Sequence, residues 1–288
     1  MEAEPQPRYC YRHPDRETGL SCSECGRPIC YECMTPAPVG LRCPEHAGQQ
    51  RLVRPAGRAL RRGGLARGAT VVTWALIAVN VTVYLAELAI GGGFNGQNNW
   101  IYEHGALFAS GAFSFGQPVM GVAHGEWWRL ITAAFLHYGP IHLGLNMLAL
   151  YFGGTVLEQV IGHWRFALIY LASGIAGSAG ALIVTPNSPT VGASGAIFGV
   201  FGALFALERR GIISSNGQIL ALIVINLVFT FAVPGISIGG HVGGLIAGFV
   251  LMWAMTHFAR SAELSILATV AVVVVSVVVA YTQVRGYA

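Results

Sequence analysis

The chain has 288 residues, of which 54% are hydrophobic and 10% are charged, and its formal net charge is +4. This profile is typical of a polytopic membrane protein, and the absence of a basic patch interleaved with aromatic residues argues against a nucleic-acid partner. Residues 1–17 are polar and contain no apolar core segment, so we expect no cleavable signal peptide.

The first 50 residues contain all six cysteines and predict a metal-binding domain. Four ligand pairs occur at two-residue spacing: Cys10 with His13, Cys22 with Cys25, Cys30 with Cys33, and Cys43 with His46. These eight soft ligands are enough for two tetrahedral structural Zn²⁺ ions. The alternative is three disulfides, which we disfavour because the predicted topology places this domain in the reducing cytosol. A domain with so few apolar residues could hardly fold without metal. The sequence leaves open whether this domain binds a cytosolic partner.

Residues 51–68 form a basic linker that contains six arginines and precedes the first apolar run. We interpret it as a solvated tether that sets the orientation of the chain by the positive-inside rule and contacts anionic lipid. The predicted inner loops hold Arg165, Arg209, Arg210 and Arg260, whereas the outer loops after the third and fifth runs hold no basic residue. The N-terminus is therefore expected in the cytosol and the C-terminus outside it, with Arg129 and Arg285 as exceptions.

Seven apolar runs are each close to the ~20 residues that cross a bilayer, apart from a short fourth run. They lie at 69–90, 141–161, 164–185, 194–207, 217–233, 239–257 and 264–284. The insertion at 91–127 is too mixed for a span and leads into Glu126-Trp127-Trp128-Arg129, whose aromatic rings suit the membrane interface. The last run is almost pure Val and Ala over 266–280 and is expected to face lipid. We predict an all-α, multi-pass protein of the cell membrane.

Polar side chains within apolar runs are candidates for function because hydrocarbon penalises them. His142 and Asn146 are four residues apart and share one helix face, while Ser194 and His241 lie in glycine-rich parts of the fourth and sixth runs. Counted by helical rise, Ser194 lies about 21 Å above the inner end of its helix, and His241 and Asn146 each lie about 24 Å above the inner ends of theirs. Against a ~30 Å hydrocarbon core, these residues share one layer below the outer surface.

This set fills the roles that peptide-bond hydrolysis requires. Ser194 would be the nucleophile and His241 its base, while His142, Asn146 and the Ser194 amide would form the oxyanion hole. The spans contain no aspartate, so we expect a dyad in which Phe198 packs on the imidazole of His241. The alternative is structural, since small residues and buried amides or imidazoles also join helices within membranes.

Two expectations concern packing rather than chemistry. Gly240, Gly244 and Gly248 give the sixth run a smooth face for close approach to the fourth. Glu158, near the inner end of its helix, is expected to be a structural hydrogen-bond partner. No chemistry is assigned to His104, His124, His163 or His257.

The chain resembles the rhomboid family of intramembrane serine proteases in the order and spacing of four segments. They are Glu126-Trp127-Trp128-Arg129, His137 with His142-Leu143-Gly144-Leu145-Asn146, Gly192-Ala193-Ser194-Gly195, and Gly240-His241 with Gly244 and Gly248. The resemblance implies a six-helix core at 69–260, an appended seventh span at 261–288, and cleavage of transmembrane substrates at or near the outer face. It supports Ser194 and His241 as the dyad. Phe198 is a departure, because many members have tyrosine there.

The segment 1–50 resembles B-box-type zinc-binding domains, which interleave their two sites. That resemblance assigns Cys10, His13, Cys30 and Cys33 to one ion, and Cys22, Cys25, Cys43 and His46 to the other. Spacing alone leaves a sequential pairing open.

The expected activity is that of a serine endopeptidase with no cofactor for catalysis. Water would reach Ser194 through a cavity open to the outside, and a locally unwound substrate would enter past the run at 217–233, with Pro234–Gly239 as a lid. Two alternatives are a catalytically inactive relative that serves as a scaffold, which would be expected to lack Ser194 or His241, and a metal-sensing transporter. A transporter would carry charges midway through its spans, where they are almost absent.

Overall fold

The computed structural model describes residues 7–37, 40–47, 70–91, 93–114, 118–258 and 261–288. The predicted linker at 51–68, the start of the first predicted span at Ala69, and Arg260 lie outside these residues. The chain divides into two compact units, Met1–Pro55 and Ala56–Ala288. Each unit has its own buried core.

The N-terminal unit has little regular structure. Strands β1 (Thr35–Pro36) and β2 (Leu41–Arg42) pair antiparallel and are followed by a single helical turn, α1 (Pro44–Ala47). Among its described residues, the buried core consists of five cysteines and Ile29, and none of the cysteines forms a disulfide. One fully buried aliphatic side chain supplies little of the apolar burial that a fold needs.

The second unit is a bundle of helices. In chain order they are α2 (Val71–Ala89), α3 (Trp100–Gly105), α4 (Arg129–Thr132), α5 (Gly139–Ile161), α6 (His163–Val184), α7 (Ser194–Arg209), α8 (Gln218–Ala232), α9 (Ile238–His257) and α10 (Ala262–Val284). In the described part of the chain, α2, α5, α6, α9 and α10 are long and apolar enough to cross a membrane. The helices α7 and α8 are shorter, with 16 and 15 residues. The predicted short fourth helix is confirmed, whereas the fifth, α8, is shorter than predicted; the protein is an all-α, multi-pass membrane protein.

The insertion between α2 and α5 is held together by a buried arginine. The guanidinium of Arg129 is fully buried and donates from Nε to Glu126 at 2.7 Å. Its Nη1 donates to the carbonyl oxygens of Glu103 at 2.8 Å and Ala106 at 2.6 Å. Arg129 therefore fixes the loop to α3 and is paired with the carboxylate of Glu126. These contacts explain why this arginine is an exception to the predicted excess of arginine in the inner loops. Trp128 beside it is exposed, as expected for an interfacial residue.

The helix α9 packs against α7 through glycines. A β-carbon on Gly244 would lie 1.9 Å from the carbonyl oxygen of Gly195, and one on Gly248 would lie 1.9 Å from that of Gly199. These distances allow no side chain at positions 244 and 248, because the two backbones are in direct contact. The predicted close approach of the sixth helix to the fourth is confirmed.

The loop between α8 and α9 is shorter than the predicted lid at Pro234–Gly239. The side chain of Ser237 caps α9 by accepting a hydrogen bond from the amide of Gly240 at 3.1 Å, so Gly239 belongs to the first turn of the helix. A β-carbon on Gly239 would lie 2.0 Å from the carbonyl oxygen of Gly180 in α6. This end of the predicted lid is therefore packed helix, and the loop is confined to residues 233–237.

The helix α5 contains one π-helical turn, Leu150–Gly154. Beyond it, Glu158 accepts hydrogen bonds from the amides of Val72 at 2.9 Å and Thr73 at 2.8 Å, and contacts Nδ1 of His163 at 2.5 Å. Glu158 thus joins the starts of α2 and α6, so its predicted structural role is confirmed.

The helices α8 and α10 bury few of their residues. In α8, which is described throughout, the buried residues are Ile223 and Thr230. In α10 the buried residues form a stripe of mostly small side chains that consists of Ser265, Thr269, Ser276, Ala280 and Val284. Its remaining face carries exposed valines, including Val270, Val274, Val275 and Val278, as expected for a helix that faces lipid.

Candidate active site

Ser194 and His241 are in direct contact, with 2.7 Å between Oγ and Nε2. Ser194 is the first residue of α7, and His241 lies in the first turn of α9. The contact between Gly244 and Gly195, about one turn further into the bundle, brings these two helix ends together. The sequence predicted that both residues lie at one depth, and the structure shows that they touch.

The imidazole of His142 packs closely against Gly192, just before α7. The φ of Gly192 is +126°, and its amide is anchored to the carbonyl oxygen of Ala133 at 2.9 Å. A β-carbon here would lie 2.9 Å from Nε2 of His142 and 3.7 Å from Oγ of Ser194. A side chain at position 192 would therefore collide with the imidazole, and glycine lets this ring lie close to the backbone that leads into Ser194.

The imidazole of His142 is oriented by a backbone donor. The amide of Tyr138 donates to Nδ1 at 3.2 Å, so in the neutral ring the hydrogen is on Nε2, the nitrogen beside Gly192. Asn146 is buried, and its side-chain nitrogen donates one hydrogen to the carbonyl oxygen of His142 at 2.8 Å, leaving the second available. The predicted pair, His142 and Asn146, thus lies on one face of α5. The hydrogen bond from Tyr138 to His142 could not be predicted, because its donor is a backbone amide that any residue would supply.

Two side chains hold the imidazole of His241. The ring of Phe198 stacks on it with 4.1 Å between centroids and 15° between planes, as the sequence predicted. The hydroxyl of Thr230 lies 2.7 Å from Nδ1. Thr230 was not predicted as a site residue. The sequence feature that could have indicated it is a hydroxyl within the mostly apolar run of α8.

His137 is fully buried, with its ring centroid 5.1 Å from that of His142. Neither ring nitrogen of His137 has a hydrogen-bond partner among the described residues. The four histidines to which no chemistry was assigned have other contacts: His104 with Trp100, His124 with Ser110, His163 with Glu158, and His257 with Phe258.

Residues 124–258, which contain this whole cluster, match the family described as the Rhomboid domain. The Rhomboid protease GluP of Bacillus subtilis (strain 168) is 50% identical over 132 residues, which cover 44% of this chain but only 26% of GluP. The putative rhomboid protease YdcA of the same organism is 39% identical over 137 residues, which cover 46% of this chain and 69% of YdcA. The chain belongs to the rhomboid family.

Membership of the rhomboid family does not by itself establish catalysis. The Inactive RHOMBOID-like protein 8 of Arabidopsis thaliana is 30% identical over 201 residues, which cover 61% of this chain and 57% of that protein. This chain has both a serine and a histidine in contact at the site, Ser194 and His241.

The N-terminal unit of this rhomboid contains two clusters of possible metal ligands. One consists of Cys10, His13, Cys30 and Cys33, and the other of Cys22, Cys25, Cys43 and His46. Within each cluster all ligand atoms lie within 4.8 Å of one another. A tetrahedral site with metal–sulfur bonds of about 2.3 Å has edges of about 3.8 Å. Nδ1 of His13 is 3.4 Å from the sulfurs of Cys30 and Cys33, so this donor set fits a metal ion.

The thiols within each cluster differ in pKa: that of the first thiol is lowered, whereas that of Cys33 in one cluster and that of Cys25 in the other are raised. Burial raises the pKa of Cys10, but backbone hydrogen bonds led by the one from Cys30 outweigh burial and lower this pKa to about 6. The pKa of Cys22 is also raised by burial and lowered by backbone hydrogen bonds, led by the one from Cys43, to about 6. Because metals bind the thiolate form, these amides favour metal binding.

Proposed function

We propose that the chain is an intramembrane serine endopeptidase that hydrolyses peptide bonds in or near transmembrane segments of other membrane proteins. The observation that carries the proposal is the 2.7 Å contact between Oγ of Ser194 and Nε2 of His241 at the ends of two membrane helices. A serine hydroxyl is a weak nucleophile until a neighbouring base accepts its proton, and an imidazole at this distance can do so.

In the proposed reaction, His241 accepts the proton of Ser194 as Oγ attacks the carbonyl carbon of the substrate. The imidazolium then gives this proton to the leaving amine, and an ester between the substrate and Ser194 remains. A water molecule, deprotonated by the same imidazole, hydrolyses the ester and restores the hydroxyl. No step needs a cofactor.

Three donors close to Ser194 suit the oxyanion that forms during this reaction. The Nε2 hydrogen of His142 lies beside Gly192, two residues before Ser194, and Asn146 on the same helix face has an unused amide hydrogen. Ser194 begins α7, where a backbone amide has no acceptor within its own helix. We assign these three donors to the oxyanion hole because preorganised donors stabilise developing charge.

Substrate would enter laterally past α8. This helix is the least firmly held wall of the site, since Ile223 and Thr230 are its buried residues, and the loop at 233–237 beside it is short. A helical substrate hides its carbonyl groups in its own hydrogen bonds, so it must unwind near the bond that is cut. We therefore expect small or helix-breaking residues close to the cleavage site.

The N-terminal unit would be a cytosolic domain with two structural Zn²⁺ ions, one in each Cys/His cluster, and we place the C-terminus outside the cytosol. The spacing of the ligand atoms and the cysteine-rich donor sets support zinc. A comparison between the full chain and a chain that starts near Arg51 would show whether this domain regulates proteolysis or recruits a cytosolic partner.

The proposal is tested with the full chain in liposomes that contain a reporter transmembrane substrate. Wild type should cleave the reporter and react with a fluorophosphonate probe, and Ser194→Ala should lose both. Ser276→Ala is the matched control, because Ser276 is a buried membrane serine in α10 that bonds only to Val272 of its own helix at 2.8 Å. Cleavage by Ser194→Ala would refute the mechanism, and a wild type that neither cleaves nor reacts would favour an inactive scaffold.

A further inference from the structure

The hydroxyl of Thr230 makes two short contacts. It lies 2.7 Å from the backbone carbonyl oxygen of Asn226, one turn earlier in α8, and 2.7 Å from Nδ1 of His241 in α9. Its side chain is buried, although most of α8 faces outward. Thr230 is thus the hydrogen-bonding link between α8 and the imidazole that contacts Ser194.

The hydrogens at these contacts can be assigned by what each atom can do. A carbonyl oxygen only accepts, so the single hydroxyl hydrogen of Thr230 points to Asn226. The lone pairs of the hydroxyl then face Nδ1 of His241, which must carry the hydrogen that joins them. A neutral imidazole with its hydrogen on Nδ1 has a free lone pair on Nε2, and Nε2 faces the hydroxyl of Ser194.

We infer that Thr230 is a positioning residue for the base of this protease: it accepts the Nδ1 hydrogen of His241 and so holds the imidazole in the tautomer that can deprotonate Ser194. The inference rests on the proposed function. In this arrangement Thr230, on a neighbouring helix, takes the position that the carboxylate has in a Ser-His-Asp triad. The opposite tautomer would direct a hydrogen from Nε2 at Ser194 and could not accept its proton.

Thr230 and Phe198 constrain different motions of the imidazole. Phe198 stacks on the ring and fixes its plane, but a stacked ring can still turn by 180° about its Cβ–Cγ bond, which keeps the plane and exchanges Nδ1 with Cδ2. The bond from Nδ1 to Thr230 stops this rotation and thereby aims Nε2 at Ser194. A hydroxyl carries no charge, so it stabilises the imidazolium less than a carboxylate does, and losing it should cost far less than the 10⁴-fold loss of the triad acid.

The location of Thr230 makes the base depend on α8. This helix is buried only at Ile223 and Thr230, and it is the wall past which we propose that substrate enters. A movement of α8 that carries Thr230 away would leave Nδ1 of His241 without this partner, and Phe198 and Ser194 would be the remaining contacts of the ring among those described above. The base is therefore fully aligned only when α8 lies against α9.

The experiment compares Thr230→Val and Thr230→Ser with Thr256→Val in the full chain. Valine has the shape of threonine but cannot accept a hydrogen bond, and serine keeps the hydroxyl. Thr256 is the matched control because it is a buried membrane threonine whose hydroxyl bonds only to Met252 and Trp253 of its own helix, α9. Each variant is assayed for kcat and KM on the reporter substrate and for the rate of fluorophosphonate labelling.

We expect Thr230→Val to lower kcat and the labelling rate about tenfold and to leave KM unchanged, because the loss of one buried hydrogen bond costs about a factor of ten in rate. Thr230→Ser and Thr256→Val should stay within about twofold of wild type. The ¹⁵N spectrum of the His241 ring, assigned by its absence in His241→Gln, should show the hydrogen on Nδ1 in wild type and a mixture of tautomers in Thr230→Val.

A kcat and a tautomer that do not change in Thr230→Val would overturn the inference, as would a wild-type His241 with its hydrogen on Nε2. A raised KM with unchanged kcat would show that Thr230 only packs α8, and would also overturn it. The tautomer is measured without turnover, so an inactive wild type whose His241 carries hydrogen on Nδ1 through Thr230 would refute the protease and leave the positioning role supported.

Discussion

Gly244 of α9 lies so close to Gly195 of α7 that a β-carbon at position 244 would be 1.9 Å from the Gly195 carbonyl oxygen. Gly195 directly follows Ser194, and Gly244 is three residues after His241. The backbone contact therefore sets the distance between the hydroxyl and the imidazole, and the 2.7 Å bond between them depends on it.

Gly244→Ala should abolish most of the proteolytic activity. The added methyl group must push α9 away from α7, and a displacement of about 1 Å at a catalytic group can cost about 100-fold in rate. The measurement is cleavage of the reporter substrate in liposomes, together with thermal unfolding of the purified chain. Gly144→Ala is the control, because a β-carbon at Gly144 of α5 meets nothing within 4 Å. Equal activity in both variants would contradict the role of the backbone contact.

The stacked ring of Phe198 should contribute to the orientation of His241. Phe198→Leu removes the aromatic face and should lower kcat roughly three- to tenfold, since an aromatic pair contributes about 0.5–1.5 kcal/mol beyond its burial. Phe198→Tyr keeps the stack and should retain most of the activity. The measurement is kcat in detergent and in liposomes, and a leucine variant as active as the tyrosine variant would show that the stack is dispensable.

Glu158 should stabilise the bundle without taking part in chemistry. In Glu158→Gln, an amide NH₂ replaces one of two carboxylate oxygens that face the backbone amides of Val72 and Thr73. Two donors then face each other, and we expect a loss of about 1–3 kcal/mol of stability. Thermal unfolding measures this loss. Glu263→Gln, at an exposed position in the first turn of α10, is the control and should unfold like wild type.

The two Cys/His clusters predict which double substitutions lose one metal ion and which lose two. Cys10→Ser with Cys33→Ser removes two ligands of one cluster, so one ion per chain should remain. Cys10→Ser with Cys25→Ser removes a ligand from each cluster, so both ions should be lost or weakened. The measurement is zinc per chain by atomic emission after dialysis. A sequential pairing of the ligands would give the reverse pattern.

Much of the membrane unit could be predicted because its signals are local. The apolar runs gave the helices, and the glycines around Ser194 and His241 indicated both the close packing and the polar layer. Spacing placed His142 and Asn146 on one face, since that relation depends only on the helical repeat. Such features need no knowledge of the rest of the fold.

The features that could not be predicted depend on contacts between distant segments. Thr230 looks like Thr256 or Thr269 in the sequence, because a membrane threonine usually bonds to its own helix, and only the packing of α8 on α9 brings it to His241. The end of the predicted lid was wrong because Ser237 caps α9 earlier than the composition suggested. The buried position of Arg129 follows from carbonyl groups of a different loop.

The π-turn at Leu150–Gly154 corrects the angular phase of α5. In an uninterrupted α-helix, with about 100° per residue, Glu158 would point about 120° away from the direction of Asn146. A π-turn takes up one extra residue and reduces this offset to about 20°. One helix can therefore face the interior at both ends, with Asn146 beside the site and Glu158 at the opposite end, although its sequence is out of register with a straight helix. Deleting one residue between Leu150 and Gly154 should convert this turn into regular α-helix and leave both ends facing the interior, because eleven steps of an α-helix give the same offset of about 20°.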